Sequence, residues 1–205
     1  MKNMIIAVAV IMALFIGVMI YSSVANKPEP EPEPEPPCEN TVNIAGVDYK
    51  IDVTTSLSLN SVDLTVEDMR QLPRLVNLTH LELKSCEISD ISALSRMTGL
   101  VRLDLRFNNI TDLSSLERLE NLTYLNLSHN RIVSVEPLYA MTNLTELELG
   151  ANFISDLSPL YGRLPALKNL YIYDNAKDGR GIDVFNELEQ GEFLRGRFPG
   201  ATIHF

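Results

Sequence analysis

Leucine recurs in this chain at a fixed spacing of 22 residues, and the residues between the leucines recur with it. Leu78, Leu81, Leu83, Cys86 and Ile88 are followed at the same offsets by Leu100, Leu103, Leu105, Asn108 and Ile110. Leu122, Leu125, Leu127, Asn130 and Ile132 come next, then Leu144, Leu147, Leu149, Asn152 and Ile154. A unit this short cannot bury its own apolar face, so successive copies must stack and share one continuous core. That requirement rules out a closed globule with a central core and predicts a solenoid.

The internal spacing predicts the shape of each copy. In Leu103-x-Leu105 two apolar residues one apart point to the same side of a strand, while Arg102, Asp104 and Arg106 point away. One short strand per copy follows, parallel to its neighbours. After Asn108 the apolar spacing changes to three, through Ile110, Leu113, Leu116 and Leu119 to Leu122. That period matches the 3₁₀ helix better than the 3.6 of an α-helix, so the return limb is expected to be narrow. Asn108, Asn130 and Asn152 occupy one inward position, and the series continues to Asn175 through Leu170 and Ile172. A buried amide needs partners, and the backbone groups left open where strand bends into loop are available to it.

The pattern L-x-x-L-x-L-x-x-N-x-I-x-x-I/L-x-x-L-x-x-L resembles the short bacterial leucine-rich repeats of internalin-like surface proteins, over about Thr54 to Asn175. The resemblance implies an α/β solenoid, a leucine-rich repeat horseshoe with a parallel sheet on the concave face and 3₁₀ turns on the convex side. It also implies a non-catalytic interaction module that binds a protein or peptide. A passive structural or spacer element of the cell envelope is the second reading.

Around the repeats the chain divides as 1–25, 26–37, 38–53, 54–175 and 176–205. The first part holds an uncharged run from Met4 to Tyr21 behind Lys2. As a helix it spans about 27 Å, close to a bilayer core of roughly 30 Å, which suits an uncleaved anchor. Ser23-Val24-Ala25 equally offers a small-residue cleavage site, so a secretory signal cut near Ala25 stays open. Either way the repeats are expected outside the cytoplasm, as a monomeric ectodomain. Pro28 to Pro37 alternates Pro with Glu, a composition that favours extended polyproline II and a spacer of roughly 30 Å. In the next part, Thr41–Ile44 and Val47–Ile51 alternate around Ala45-Gly46 and read as a hairpin. At the far end Ile182, Val184, Phe185 and Leu188 have roughly helical spacing, and Ile203 and Phe205 share one face of a last strand.

The formal charge of −10 makes nucleic acid an unsuitable partner. His80, His129 and His204 form no zinc motif with neighbouring carboxylates, and there is no nucleophile elbow or phosphate-binding glycine loop, so neither catalysis nor a cofactor is expected. Asp174-Asn175-Ala176-Lys177-Asp178-Gly179 is only a fragment of a calcium loop, with Ala176 at a ligand position and Phe185 where a bidentate Glu belongs. Cys86 stands in the Asn series as a small buried residue, and at least one whole copy separates it from Cys38, too far for a disulfide. Asn77-Leu78-Thr79, Asn121-Leu122-Thr123 and Asn143-Leu144-Thr145 read as glycosylation acceptors but are by-products of the repeat.

Function must then sit on the outward strand positions. These form stripes of neighbours about 4.8 Å apart. The first stripe runs Ser56, His80, Arg102, Tyr124, Glu146, Asn169; the second runs Ser58, Glu82, Asp104, Asn126, Glu148, Tyr171; the third runs Asn60, Lys84, Arg106, Ser128, Gly150, Tyr173. Arg102, Arg106, Phe107, Tyr124 and His129 gather in the middle, with Tyr171 and Tyr173 toward the C-terminal end. Tyr and Arg combine apolar area with directional hydrogen bonds and dominate binding hot spots, so these seven are the candidate partner-binding residues. The alternative is that the mixed charges merely solvate the sheet, with Arg102 or Arg106 relieving repulsion between Glu82 and Asp104.

Overall fold

The computed structural model describes residues 40–175 and 187–205. The chain divides into two units, Met1–Cys38 and Glu39–Phe205, and the described residues belong to the second. The leader, the Pro-Glu segment, Cys38, the calcium-like segment from Ala176 onward and Ile182 to Phe185 lie outside them. Among the described residues no helix is long and apolar enough to cross a membrane.

The expected α/β solenoid is present. Strands β1 (Thr41–Ile44) and β2 (Val47–Lys50) form the antiparallel hairpin around Ala45-Gly46. Seven strands of three residues each then build one parallel sheet in chain order: β3 (Ser56–Ser58), β4 (His80–Glu82), β5 (Arg102–Asp104), β6 (Tyr124–Asn126), β7 (Glu146–Glu148), β8 (Asn169–Tyr171) and β9 (Thr202–His204). The register aligns Leu57, Leu81, Leu103, Leu125, Leu147, Leu170 and Ile203, all of them buried. A one-residue slip would turn that whole column into water, so the buried leucines fix the register. The return limbs carry 3₁₀ turns at Ser92–Arg96, Ser114–Leu116, Glu136–Leu138 and Ser158–Leu160. Asp90, Asp112 and Asp156 each accept a hydrogen bond from the backbone N–H of the serine two residues on, at 2.7–2.9 Å, and so start three of these turns.

The inward asparagines join each copy to the one before it. Asn108 Oδ1 accepts from the backbone N–H groups of Cys86 and Ile88 at 3.1 and 3.0 Å, and its Nδ2 donates to the carbonyls of Leu83 and Leu105 at 2.7 and 2.8 Å. Asn130, Asn152 and Asn175 take their Oδ1 bonds from Ile110, Ile132 and Ile154 in the same way. Cys86 keeps part of this role, because its thiol donates to the Leu59 carbonyl at 2.9 Å. The Asn-Leu-Thr triplets form a second ladder. Asn77, Asn121 and Asn143 donate to the carbonyls of Asp52, Thr98 and Glu120, and Thr79, Thr123 and Thr145 donate to Thr55, Val101 and Thr123. Gly99 and Val101 leave a gap in it.

Two helices enlarge on the sequence reading. Val66–Gln71 starts at Thr65, whose side chain caps the Asp68 N–H while Asp68 bonds back to the Thr65 N–H. The same carboxylate accepts from Ala45 N at 2.7 Å and pins the hairpin turn to this helix. The C-terminal helix Glu187–Arg197 runs further than the spacing of 182–188 suggested. It buries Leu194, and Phe193 and the following Phe198 meet the Tyr161 ring edge-on.

Candidate interaction face

The pairing register reproduces the first two stripes. Ser56, His80, Arg102, Tyr124, Glu146 and Asn169 are successive partners across the sheet, as are Ser58, Glu82, Asp104, Asn126, Glu148 and Tyr171. The strand β9 extends them by Thr202 and His204.

Beyond the third stripe the backbone turns through a left-handed residue in every copy. Ser61, Ser85, Phe107, His129, Ala151 and Asp174 all have φ between 54° and 59°. None is glycine, although this region disfavours side chains by roughly 1–2 kcal/mol per residue. Two copies place aromatic rings there. Phe107 is 45% exposed and stacks on His129, with ring centroids 4.2 Å apart and planes at 11°. Tyr173 meets the opposite side of this pair, its ring edge-on to His129 at 6.5 Å. It can lie there because of Gly150, since a Cβ on that residue would come within 2.4–2.6 Å of three Tyr173 ring carbons. Sequence reasoning selected the three rings and missed Gly150, whose value shows only when the neighbouring copy is in place.

The other candidates separate into covered and open groups. Arg102 spreads its guanidinium over Tyr124, 3.4 Å from the ring centroid. The Tyr124 hydroxyl donates to Glu148 Oε1 at 2.9 Å and accepts from Asn126 Nδ2 at 3.3 Å. Burial above all, with the nearby Glu148 and Asp104 charges and against the Asn126 bond, pushes this hydroxyl's pKa up to about 12, so it stays a neutral donor. Tyr171 stacks on His204 with centroids 4.1 Å apart.

One expectation needs correction. Asp104, Asn126 and Ser128 face the open side of the sheet, yet they are buried. The cause is their neighbours' length: Arg106 Nε lies 3.1 Å from Asp104 Oδ2, and the Tyr124 hydroxyl bonds Asn126. Arg106 therefore neutralises a carboxylate whose side chain is only 4% exposed. Glu82 takes hydrogen bonds from Ser58 and Asn60 instead. Among the described residues no group of three or more His, Cys, Asp or Glu side chains converges as a metal site would require.

A family model for leucine-rich repeats in paired copies matches residues 76–118 and again 120–162. Among solved structures the chain is similar to internalin C2 of Listeria monocytogenes, 28% identical over 72% of this chain and 59% of that one, with a TM-score of 0.53. It is also similar to a leucine-rich repeat protein of Leptospira interrogans, 25% identical over 66% of this chain and 33% of that one, with a TM-score of 0.56. The chain thus spans less than two thirds of the length of either structure. No curated protein matches it.

Proposed function

From the premise that this chain is a leucine-rich repeat protein similar to the bacterial internalins, and that such proteins are generally scaffolds for protein interaction, we propose a non-catalytic module whose concave face holds a protein or peptide. The observation that carries the reading is the open aromatic group on the rim of the sheet, Phe107 stacked on His129 with Tyr173 edge-on beside them. Phe107 is 45% exposed on a left-handed backbone and packs on His129 rather than into the core, so the rings form a grouped apolar surface. Tyr171, with one ring face covered by His204, belongs to the same surface. Arg102, Arg106 and Tyr124 support it from within by covering Asp104 and Asn126.

The module acts outside the cytoplasm as a monomeric ectodomain. Its leader, which lies outside the described residues, is either retained as an anchor or cut near Ala25. The uncharged stretch Met4 to Tyr21 and the resemblance to surface proteins support that placement. Mass spectrometry of the native N-terminus distinguishes the two fates, and protease treatment of intact cells checks the placement.

The binding test is a comparison of variants. Phe107→Ala, Tyr171→Ala and Tyr173→Ala, immobilised beside the unaltered domain, should retain markedly less of whatever envelope or host-extract protein the domain captures. Their melting points should stay nearly unchanged. Equal capture by all four proteins would move the site off this face, and no specific capture would favour the spacer reading.

A further inference from the structure

Charge is unevenly distributed along the sheet. The strands β6 to β9 read Tyr-Leu-Asn, Glu-Leu-Glu, Asn-Leu-Tyr and Thr-Ile-His, and they present Glu146 and Glu148 with no lysine or arginine among them. Among the described residues neither carboxylate is joined to a lysine or arginine, unlike Glu67 with Arg70 and Asp104 with Arg106. Glu148 has Asn126 and Tyr171 as its partners on the adjacent strands. His204 covers the Tyr171 ring from the β9 side at 4.1 Å, so the other ring face turns along the stripe toward Glu148. Glu148 and Tyr171 are thus neighbours in one stripe, a strand spacing of about 4.8 Å apart, with one oxygen of the Glu148 carboxylate taken by the Tyr124 hydroxyl.

Arg102 shows how this surface receives a guanidinium, since its own lies flat on Tyr124 at 3.4 Å. Among the described residues no lysine or arginine does the same for Tyr171.

Resting on the concave-face reading above, we infer that the C-terminal half of this face recognises a lysine- or arginine-bearing extended segment of a partner protein. One cationic side chain lies between Glu148 and Tyr171, and a second charge is met by Glu146. A cation held by a carboxylate and an aromatic face together gains both Coulombic and cation–π attraction. An acidic segment would meet two glutamates that lack a counter-charge, and a wholly apolar one would cover them without replacing their water.

A phage-displayed library of random linear peptides, selected on the full domain, tests this. Recovered peptides should be enriched in Lys and Arg. Synthetic copies should bind at least about tenfold more weakly to the Glu146→Gln/Glu148→Gln variant and lose affinity as salt rises. Unchanged melting of that variant confirms that the fold is intact, and Tyr171→Phe should bind as the unaltered domain does, because the ring face is kept. Peptides without basic enrichment that still lose binding in Tyr171→Ala would overturn the cationic specificity and leave the concave-face reading standing. Basic peptides that bind the double glutamine variant equally well would overturn the assigned position. A selection yielding nothing above background would count against both readings.

Discussion

The asparagine ladder decides stability residue by residue. Asn130 is buried and bonds Ile110 N, Leu105 O and Leu127 O, so Asn130→Ala leaves several groups unpaired and should cost about 1–3 kcal/mol, measured by urea denaturation. Gly99 offers the opposite case. It occupies the position of Asn77, Asn121 and Asn143, and an added Cβ would meet only the Leu78 carbonyl at an ordinary 3.7 Å. Gly99→Asn should therefore complete the second ladder and stabilise the domain by about 0.5–1.5 kcal/mol, one net hydrogen bond. Arg106→Ala tests a different balance: without its guanidinium the buried Asp104 carboxylate keeps the Arg106 backbone N–H at 3.2 Å but has no counter-charge, and a loss of about 1–3 kcal/mol is expected even where no ligand is present. The stripes themselves were legible from the alternation of Leu-x-Leu. The burial of Asp104, Asn126 and Ser128 was not, because it comes from long side chains of adjacent copies that one copy's sequence does not place.

Among the elements, the 3₁₀ turns depend on charge. The backbone N–H of the following serine, and then its hydroxyl, hold the carboxyls of Asp90, Asp112 and Asp156 below their ordinary pKa. A lowered folded-state value means that each contributes stability above the unfolded pKa and loses it as pH falls through the folded value. Replacing all three by Ala should lower the melting point at neutral pH. The gap from the unaltered domain should narrow below about pH 4, where the native carboxyls also take up protons. An undiminished gap at low pH would show that the caps act without their charge. The apolar spacing of three announced these turns in the sequence. The helix Val66–Gln71 went unread because it buries only Met69, too little for a periodic signal, and its start rests on the reciprocal Thr65–Asp68 bonds. The helix Glu187–Arg197 was hidden by glycines at 191 and 196, and it is held by tertiary contacts of Leu194 and by the rings around Tyr161.

For the whole molecule, shared burial makes the two ends indispensable. Removing residues 187–205 takes away the strand paired with β8 and strips cover from Leu170 and Ile172, both fully buried. The shortened domain should melt far lower or aggregate, as scattering and circular dichroism would show; melting like the full domain would disprove the shared core. Its direction matters as well. Each inward asparagine accepts its Oδ1 bond from an isoleucine N–H about one copy earlier in the chain: Asn130 from Ile110, Asn152 from Ile132 and Asn175 from Ile154. On the ribosome, then, every loop waits for an amide that has not yet been translated, and the growing chain seals itself one copy behind its own synthesis.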